Sequence, residues 1–159
     1  MRLPIVYRPC NTTIMTQKYG VNPSYYPTFG GHEGIDTAVS MGWPYYAVAD
    51  GLVIHSSDRI WSDPTRLSDY GFHCTIEHNI DGVKFRSHYA HSDGRLPQVG
   101  EHVSAGAIVG YSANTGRSSG YHLHFAILTD EQTSNLNPSV MGYFTDPTFV
   151  LNYPIPEDL

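Results

Sequence analysis

The sequence predicts a mainly β domain, an antiparallel sheet with long groove-forming loops and little helix. Short apolar runs alternate with turn-forming pairs such as Asp50-Gly51 and Asp81-Gly82, as expected of strands joined by tight connections. The 15 Gly and 11 Pro among 159 residues exceed the usual ~12% for these two residue types together. Many turns and few long helices are therefore expected, within a single domain spanning residues 1–159.

The elements follow in order along the chain, beginning with a Pro- and Tyr-rich arm of 28 residues that contains one short strand. The candidate strands are Ile14–Lys18, Ile35–Ala38, Tyr45–Ala49, Leu52–Ser56, Phe72–His78, Val83–His91, Ile108–Ser112 and His122–Thr129. Asp81-Gly82 predicts a tight hairpin turn, and residues 57–71 predict a long surface loop. Asp146-Pro147 predicts the start of a short helix, within a segment, 129–159, that packs on the core.

Charge and hydropathy exclude several classes of partner. The formal net charge is −6 and no basic cluster occurs, which argues against nucleic-acid binding and against anchoring to anionic lipid. No apolar stretch approaches the roughly 18 residues of a membrane-spanning helix. The N-terminus has no apolar core of a signal peptide, and we expect a monomer.

The two cysteines, Cys10 and Cys74, are too far apart in sequence for a metal hairpin. A disulfide and two free thiols both remain open. Two core thiols are favoured, because nothing in the sequence indicates an oxidising compartment.

Two motifs among the nine histidines have metal-ligand spacing. The first is His32-x-x-x-Asp36 and the second is His122-x-His124. Even spacing places side chains on one face of a strand, so neighbouring strands could bring these groups together. Two histidines and a carboxylate suit zinc with one open position for water. Spacing alone leaves open which histidine of the second pair binds, and whether the metal is zinc or iron.

Each motif alone is weak, since a His-x-His pair is often only the polar face of a strand. The two motifs together, each within an apolar β segment, favour a metal site.

Five blocks in the order of the chain resemble the lysostaphin-like (LytM-type) zinc endopeptidases of peptidoglycan. They are GHEGIDTA (31–38), AVADGLV (47–53), SHYAH (87–91), VGEHVSAGAIVG (99–110) and NTGRSSGYHLHF (114–125). The resemblance covers roughly residues 13–128, and several ordered motifs make it specific. It implies the antiparallel fold of that family, similar to the duplicated hybrid motif.

The resemblance also implies a role for each matching site residue. His32, Asp36 and His124 would hold zinc, His122 would be the general base, and His91 would orient or stabilise the oxyanion. These roles agree with the chemistry, because hydrolysis of an amide needs a base within reach of the water and donors beside the developing charge.

Substrate contacts are expected from Tyr89, Ser118 and Tyr121. For Tyr89, packing in the interior is an equally good interpretation. The small residues of the loop 114–120 leave room for a thin, extended substrate. Two departures from the family pattern, Ser92 in place of Leu and Tyr121 in place of Pro, are expected to line the groove and to affect substrate preference.

Other polar residues receive structural interpretations. His88, three residues before His91, is expected on the opposite face of the strand, and Glu33 is expected to be solvated. Tyr25, Tyr26 and Trp43 either line the groove or pack. Four histidines without partners at ligand spacing are expected to have no role in the site: His55, His73, His78 and His102.

The resulting hypothesis is an endopeptidase that cleaves peptidoglycan stems or cross-bridges and lyses the bacterial cell wall. A phage endolysin or virion enzyme with a separate wall-binding module is favoured over a trimmed autolysin or bacteriocin. The alternatives are a non-catalytic binding or hydrolase-activating module, disfavoured because every ligand is present, and a metal oxygenase. An iron site would more often use His-x-Asp, or a Glu shortly after His-x-His, where Leu128 and Thr129 stand.

Overall fold

The computed structural model describes residues 2–57 and 67–151. Within these residues the strands are β1 (Met15–Gln17), β2 (Ile35–Ala38), β3 (Pro44–Tyr46), β4 (Gly51–Ser57), β5 (Phe72–Ile80), β6 (Val83–Ser92), β7 (His102–Val103), β8 (Ile108–Tyr111), β9 (His122–Thr129) and β10 (Tyr143–Thr145). Two 3₁₀ turns span Leu67–Tyr70 and Pro147–Phe149. No helix in the described ranges is long and apolar enough to span a bilayer.

The strands form one large antiparallel sheet and one small ribbon. The large sheet has the order β1-β2-β9-β6-β5-β4-β7, and β10 pairs with the end of β9 beyond β2. The ribbon consists of β3 and β8. The predicted fold class, mainly antiparallel β with little helix, is confirmed.

Local sequence explains the element boundaries. Asp81 and Gly82 have φ angles of 52° and 84°, which is the type I′ geometry that closes the predicted hairpin between β5 and β6. Asp146 caps the second 3₁₀ turn by accepting a hydrogen bond from the Thr148 amide, so a single 3₁₀ turn stands where the sequence predicts the start of a short helix. Residues 58–66 of the predicted loop lie outside the described residues. The last part of that loop, Leu67–Tyr70, forms the first 3₁₀ turn.

The main core buries side chains of both the large sheet and the ribbon. Its fully buried members include Tyr45, Val48, Ile76, Tyr89, Leu123 and Phe125. Cys10 and Cys74 are buried here as free thiols, as predicted. Tyr89 lies in this core, where its hydroxyl accepts a hydrogen bond from the Val48 amide at 3.0 Å. The structure therefore supports packing for Tyr89 and leaves it out of the groove.

The other face of the large sheet is unusually rich in buried histidine. His88 is 2% exposed, its Nδ1 atom lies 2.8 Å from the Thr75 hydroxyl, and its ring lies 4.6 Å from that of Tyr70. Burial, reinforced by the neighbouring His73 and His124, holds the pKa of His88 well below its ordinary value. His88 is therefore neutral in the folded protein at mildly acidic pH.

Acid should destabilise the metal-free protein through this residue. Below about pH 6.5 the unfolded chain protonates His88 whereas the native state does not, so stability falls with pH by up to about 1.4 kcal/mol per pH unit for this one group. We expect His88→Gln to make the decrease in unfolding free energy between pH 7 and 5 less steep, as measured by chemical denaturation. The same substitution at the exposed His102 is the control, and equal slopes for His88→Gln and wild type would contradict the prediction.

Candidate active site

The pairing of β2 with β9 builds the centre of the candidate site. In this antiparallel register Asp36 lies opposite His124, and Ala38 lies opposite His122. Directly paired residues project to the same face, so the carboxylate of one strand meets the imidazole of the other. The two sequence motifs therefore converge because two strands 88 residues apart in the chain are neighbours in the sheet.

His32 reaches the same point from the turn before β2. Its backbone is fixed by hydrogen bonds with Val21 and Gly20, and its Nδ1 donates to the Lys18 carbonyl at 3.0 Å. Gly34 allows this turn to lie against β9, because a Cβ atom there would stand 2.4 Å from the Phe125 carbonyl oxygen. A larger residue at 34 would push His32 away from the centre.

Three ligand atoms converge in a buried cluster. The His32 Nε2 atom lies 3.0 Å from His124 Nδ1 and 3.2 Å from Asp36 Oδ1, and His124 Nδ1 lies 3.0 Å from the same oxygen. Because His32 donates through Nδ1, neutral His32 presents a lone pair at Nε2 to the carboxylate. At these distances a proton on His32 Nε2 would form a hydrogen bond to the carboxylate, and a metal ion can take the place of that proton. Two imidazole nitrogens and one carboxylate oxygen are a donor set that fits zinc.

The electrostatics of the cluster favour an ionised carboxylate. Burial alone would raise the pKa of Asp36, but hydrogen bonds to His124 and His32 outweigh it and hold that pKa well below the usual range. Burial would likewise lower the pKa of His124, but the carboxylates of Glu33 and Asp36 outweigh it and raise that pKa. Asp36 is therefore available as an anionic ligand.

A second histidine pair stands beside the cluster. The rings of His91 and His122 are 4.6 Å apart, and His122 Nε2 lies 3.6 Å from Asp36 Oδ2. Each ring places Nδ1 on a backbone carbonyl, His91 on Thr115 at 2.6 Å and His122 on Gly120 at 2.8 Å. A carbonyl only accepts, so both neutral rings carry the proton on Nδ1 and expose a lone pair at Nε2.

His91 enters the site through an irregularity in β6. Its φ angle is 60°, a left-handed conformation uncommon for a residue other than glycine, and it interrupts strand alternation. As a result His88 and His91 both lie on the face that carries His124, since Tyr70 contacts both His88 and His124. The expectation that His88 occupies the opposite face is wrong, although its structural role is supported. Burial, with His124 and His122 nearby, lowers the pKa of His91 to about 3.

The cluster opens into a groove of about 770 Å³. Its lining comes from the N-terminal arm, including Tyr25 and Tyr26, from the first 3₁₀ turn, and from the loop at 116–119. The Arg117 guanidinium lies 4.3 Å from the centre of the Tyr25 ring, which joins the arm to the loop. Ser118 lines the groove, with its hydroxyl 3.2 Å from His122 Nδ1.

Other expected groove residues lie elsewhere. Tyr121 is 47% exposed but is not part of the groove lining, and Trp43 is also outside it. Ser92 is fully buried and hydrogen-bonds with the backbone of Tyr111, so the expectation that it lines the groove is wrong. The bulge at His91 turns the following residue into the interior.

Glu33 differs most from its expected position. It is buried rather than solvated, and its Oε1 atom accepts a hydrogen bond from the Tyr70 hydroxyl at 2.6 Å. The same oxygen lies 3.4 Å from His124 Nε2. Sequence spacing could not reveal this contact, because Tyr70 arrives from a turn 37 residues away.

The remaining histidines pair within the sheet or lie on its surface. His78 is buried between the Asp50 carbonyl and the Ser87 hydroxyl. His55 Nε2 lies 3.0 Å from His73 Nε2, and His102 is exposed. None of them lines the groove, as predicted.

Comparison with known proteins identifies the family. The sequence profile of Peptidase family M23 matches residues 30–138. ALE-1, the glycyl-glycine endopeptidase of Staphylococcus capitis, is 33% identical over 128 residues, which are 79% of this chain and 32% of that protein. The peptidoglycan DD-endopeptidase ShyA of Vibrio cholerae is 32% identical over 97 residues, 61% of this chain and 20% of that protein.

A solved structure shows the same architecture. The antimicrobial peptidase lysostaphin from Staphylococcus simulans superimposes with a TM-score of 0.64 and 29% identity, covering 86% of this chain and 48% of that one. The chain thus spans a third or less of the length of the two curated relatives described above. The profile match includes all three residues of the buried cluster and both neighbouring histidines, and the chain belongs to Peptidase family M23.

Proposed function

We propose that the protein is a zinc-dependent endopeptidase that hydrolyses peptide bonds of bacterial peptidoglycan. The observation that carries the proposal is the buried cluster of His32, Asp36 and His124 at the base of an open groove, with two histidine Nε2 lone pairs beside it. A structural zinc site is usually closed by four protein ligands, whereas a catalytic site has three and keeps one position open. Within the described residues the cluster has three members.

The residues of the cluster would hold the metal through His32 Nε2, Asp36 Oδ1 and His124 Nδ1. Bound zinc supplies a Lewis acid that polarises the scissile carbonyl and lowers the pKa of water to about 7.

The neighbouring histidines would handle the protons. His122 Nε2 presents a lone pair and takes a proton from the attacking water, because its Nδ1 proton is held by the Gly120 carbonyl. His91 can donate to the oxyanion only when its own Nε2 is protonated, since its Nδ1 proton is held by Thr115. The proton that His122 takes from the water is the one that the leaving amine then requires.

The names of the relatives support a peptide of the cell wall as substrate. ALE-1 is a glycyl-glycine endopeptidase and ShyA a peptidoglycan DD-endopeptidase, so the proposal places the action of this protein on the bacterial wall. The groove is open and lined by small loop residues such as Ser118 and Ser119, which suits an extended peptide. The alternative of a non-catalytic module is disfavoured, because both proton-handling histidines stand beside the intact ligand set.

The overall proposal is tested on purified cell walls. We expect the protein to release new peptide amino groups, and a zinc chelator to abolish the release until zinc is restored. Mass spectrometry of fragments from defined muropeptides identifies the bond. A module that only binds would sediment with the walls and release nothing, and that outcome would reject the enzyme.

Removal of the carboxylate ligand should abolish metal binding. We expect Asp36→Ala to retain less than about a tenth of the wild-type zinc content after dialysis, because two histidines alone are an incomplete site. Elemental analysis measures the zinc, and Asp93→Ala removes a carboxylate outside the groove as the control. Unchanged zinc in Asp36→Ala would reject this residue as a ligand.

Removal of the base should separate turnover from metal binding. His122→Ala is expected to keep zinc while kcat falls about 10²- to 10⁴-fold, the range typical of general acid–base catalysis. Turnover of a muropeptide and zinc content are measured on the same preparation. Wild-type turnover in His122→Ala would refute the role of this histidine.

A further inference from the structure

A buried acid–tyrosine pair stands behind the ligand cluster. Glu33 is 4% exposed and Tyr70 is 8% exposed, and the Tyr70 hydroxyl donates to Glu33 Oε1 at 2.6 Å. Glu33 Oε1 also faces His124 Nε2 at 3.4 Å. The Tyr70 ring stacks on the His124 ring with 5.4 Å between centroids and 26° between planes. Two side chains from different segments therefore hold one imidazole.

Burial of this carboxylate needs a reason. An ionised carboxylate removed from water is costly unless it is paired and hydrogen-bonded. Among the described residues the ion-pair partner of Glu33 is His124. The second oxygen of Glu33 and the Nε2 atom of His124 are both buried without a hydrogen-bond partner in these same ranges. A slight approach of the two groups would satisfy Nε2, so the acid is placed for this imidazole.

The direction of the ring determines what the contact does. His124 turns Nδ1 towards Asp36 and His32, so a metal there requires a lone pair on Nδ1 and therefore a proton on Nε2. An acceptor at Nε2 favours this tautomer and fixes the ring orientation, as second partners of metal-bound histidines generally do. Glu33 supplies that acceptor, because it faces Nε2, on the edge of the His124 ring that is turned away from Asp36.

We infer that Glu33, held by Tyr70, positions His124 as a metal ligand and sets the zinc affinity of the site. The inference rests on the proposed function only for the metal centre itself. Glu33 is a positioning residue, since it acts through His124 and lies outside the three ligand atoms that converge. Tyr70 contributes twice, by the hydroxyl that fixes the acid and by the ring that limits rotation of the imidazole.

The test is the zinc dissociation constant of the purified protein, measured by competition with a chromophoric chelator. Glu33→Leu removes the acceptor and is expected to weaken zinc binding about 10- to 100-fold, the usual cost of losing such a partner. Glu33→Gln keeps a neutral acceptor and Tyr70→Phe keeps the stacked ring, so both should fall between Glu33→Leu and wild type. This graded order would not arise from a purely structural role.

The control for charge is Asp69→Asn, which removes a carboxylate at the exposed rim of the groove. Exposed charges are screened by salt, and we expect zinc affinity within about twofold of wild type. An equal loss in Asp69→Asn and Glu33→Gln would overturn the inference, because net charge alone would then explain both. Unchanged affinity in both Glu33→Leu and Tyr70→Phe would overturn it as well.

Nitrogen-15 NMR of the imidazoles gives a readout independent of activity. In zinc-loaded wild type His124 should show a protonated Nε2, and its Nε2–H resonance should shift in Tyr70→Phe because the hydroxyl no longer fixes Glu33. An Nε2–H resonance identical in the two proteins would count against the inference. If Glu33→Leu does not fold, as judged by circular dichroism, the comparison of Tyr70→Phe with wild type still decides.

Failure of the proposed function is distinguishable. If the wild-type protein binds no zinc, or binds zinc no more tightly than Asp36→Ala does, the metal centre itself is rejected. If zinc binding depends on Asp36 but not on Glu33 or Tyr70, only the positioning role is rejected.

Discussion

The antiparallel register between β2 and β9 is the constraint on which the site depends. It places Asp36 directly opposite His124, and a shift of one residue would turn either side chain to the other face of the sheet. That register is fixed by burial, because Ile35 and Phe125, the next pair along, are both in the main core. The hydrophobic core thus determines where the polar cluster forms.

The two faces of the large sheet bury different kinds of side chain. One face supplies an apolar core with Tyr45 and Phe125. The other buries His73 and His88, whose Nδ1 atoms contact the Gly71 carbonyl and the Thr75 hydroxyl. Burial on this face lowers the pKa of His88 and of His91, so these two imidazoles are neutral close to the groove. The price is sensitivity to acid, since a histidine whose pKa is lowered by folding opposes folding once the unfolded chain becomes protonated.

Sequence alone predicted the features that follow from strand periodicity. Even spacing predicted only that the motifs His32-x-x-x-Asp36 and His122-x-His124 could meet. The choice of His124 as a ligand and the roles of His91 and His122 came from the family resemblance, and His32 arrives from the turn before β2. Periodicity failed where the backbone departs from it: the left-handed residue at 91 brings His88 and His91 to one face and turns Ser92 inward.

Contacts between residues far apart in the chain could not be predicted from motif spacing either. Glu33 is a charged residue beside a glycine, so local reasoning predicted exposure, whereas a tyrosine from a distant turn compensates its burial. Strands β7 and β10, of two and three residues, carry too few residues for alternation to be detected. The register of their neighbours creates these short strands, and local preference does not.

The contact between Arg117 and Tyr25 joins two walls of the groove. A cation over an exposed aromatic ring contributes only about 0.5–1 kcal/mol, so thermal motion breaks it readily and a ligand that separates the two side chains loses less than about tenfold in affinity. The two walls of the groove are thus joined by a weak cation–π contact. A bulky ligand can therefore separate the two walls without any rearrangement of the sheet beneath them.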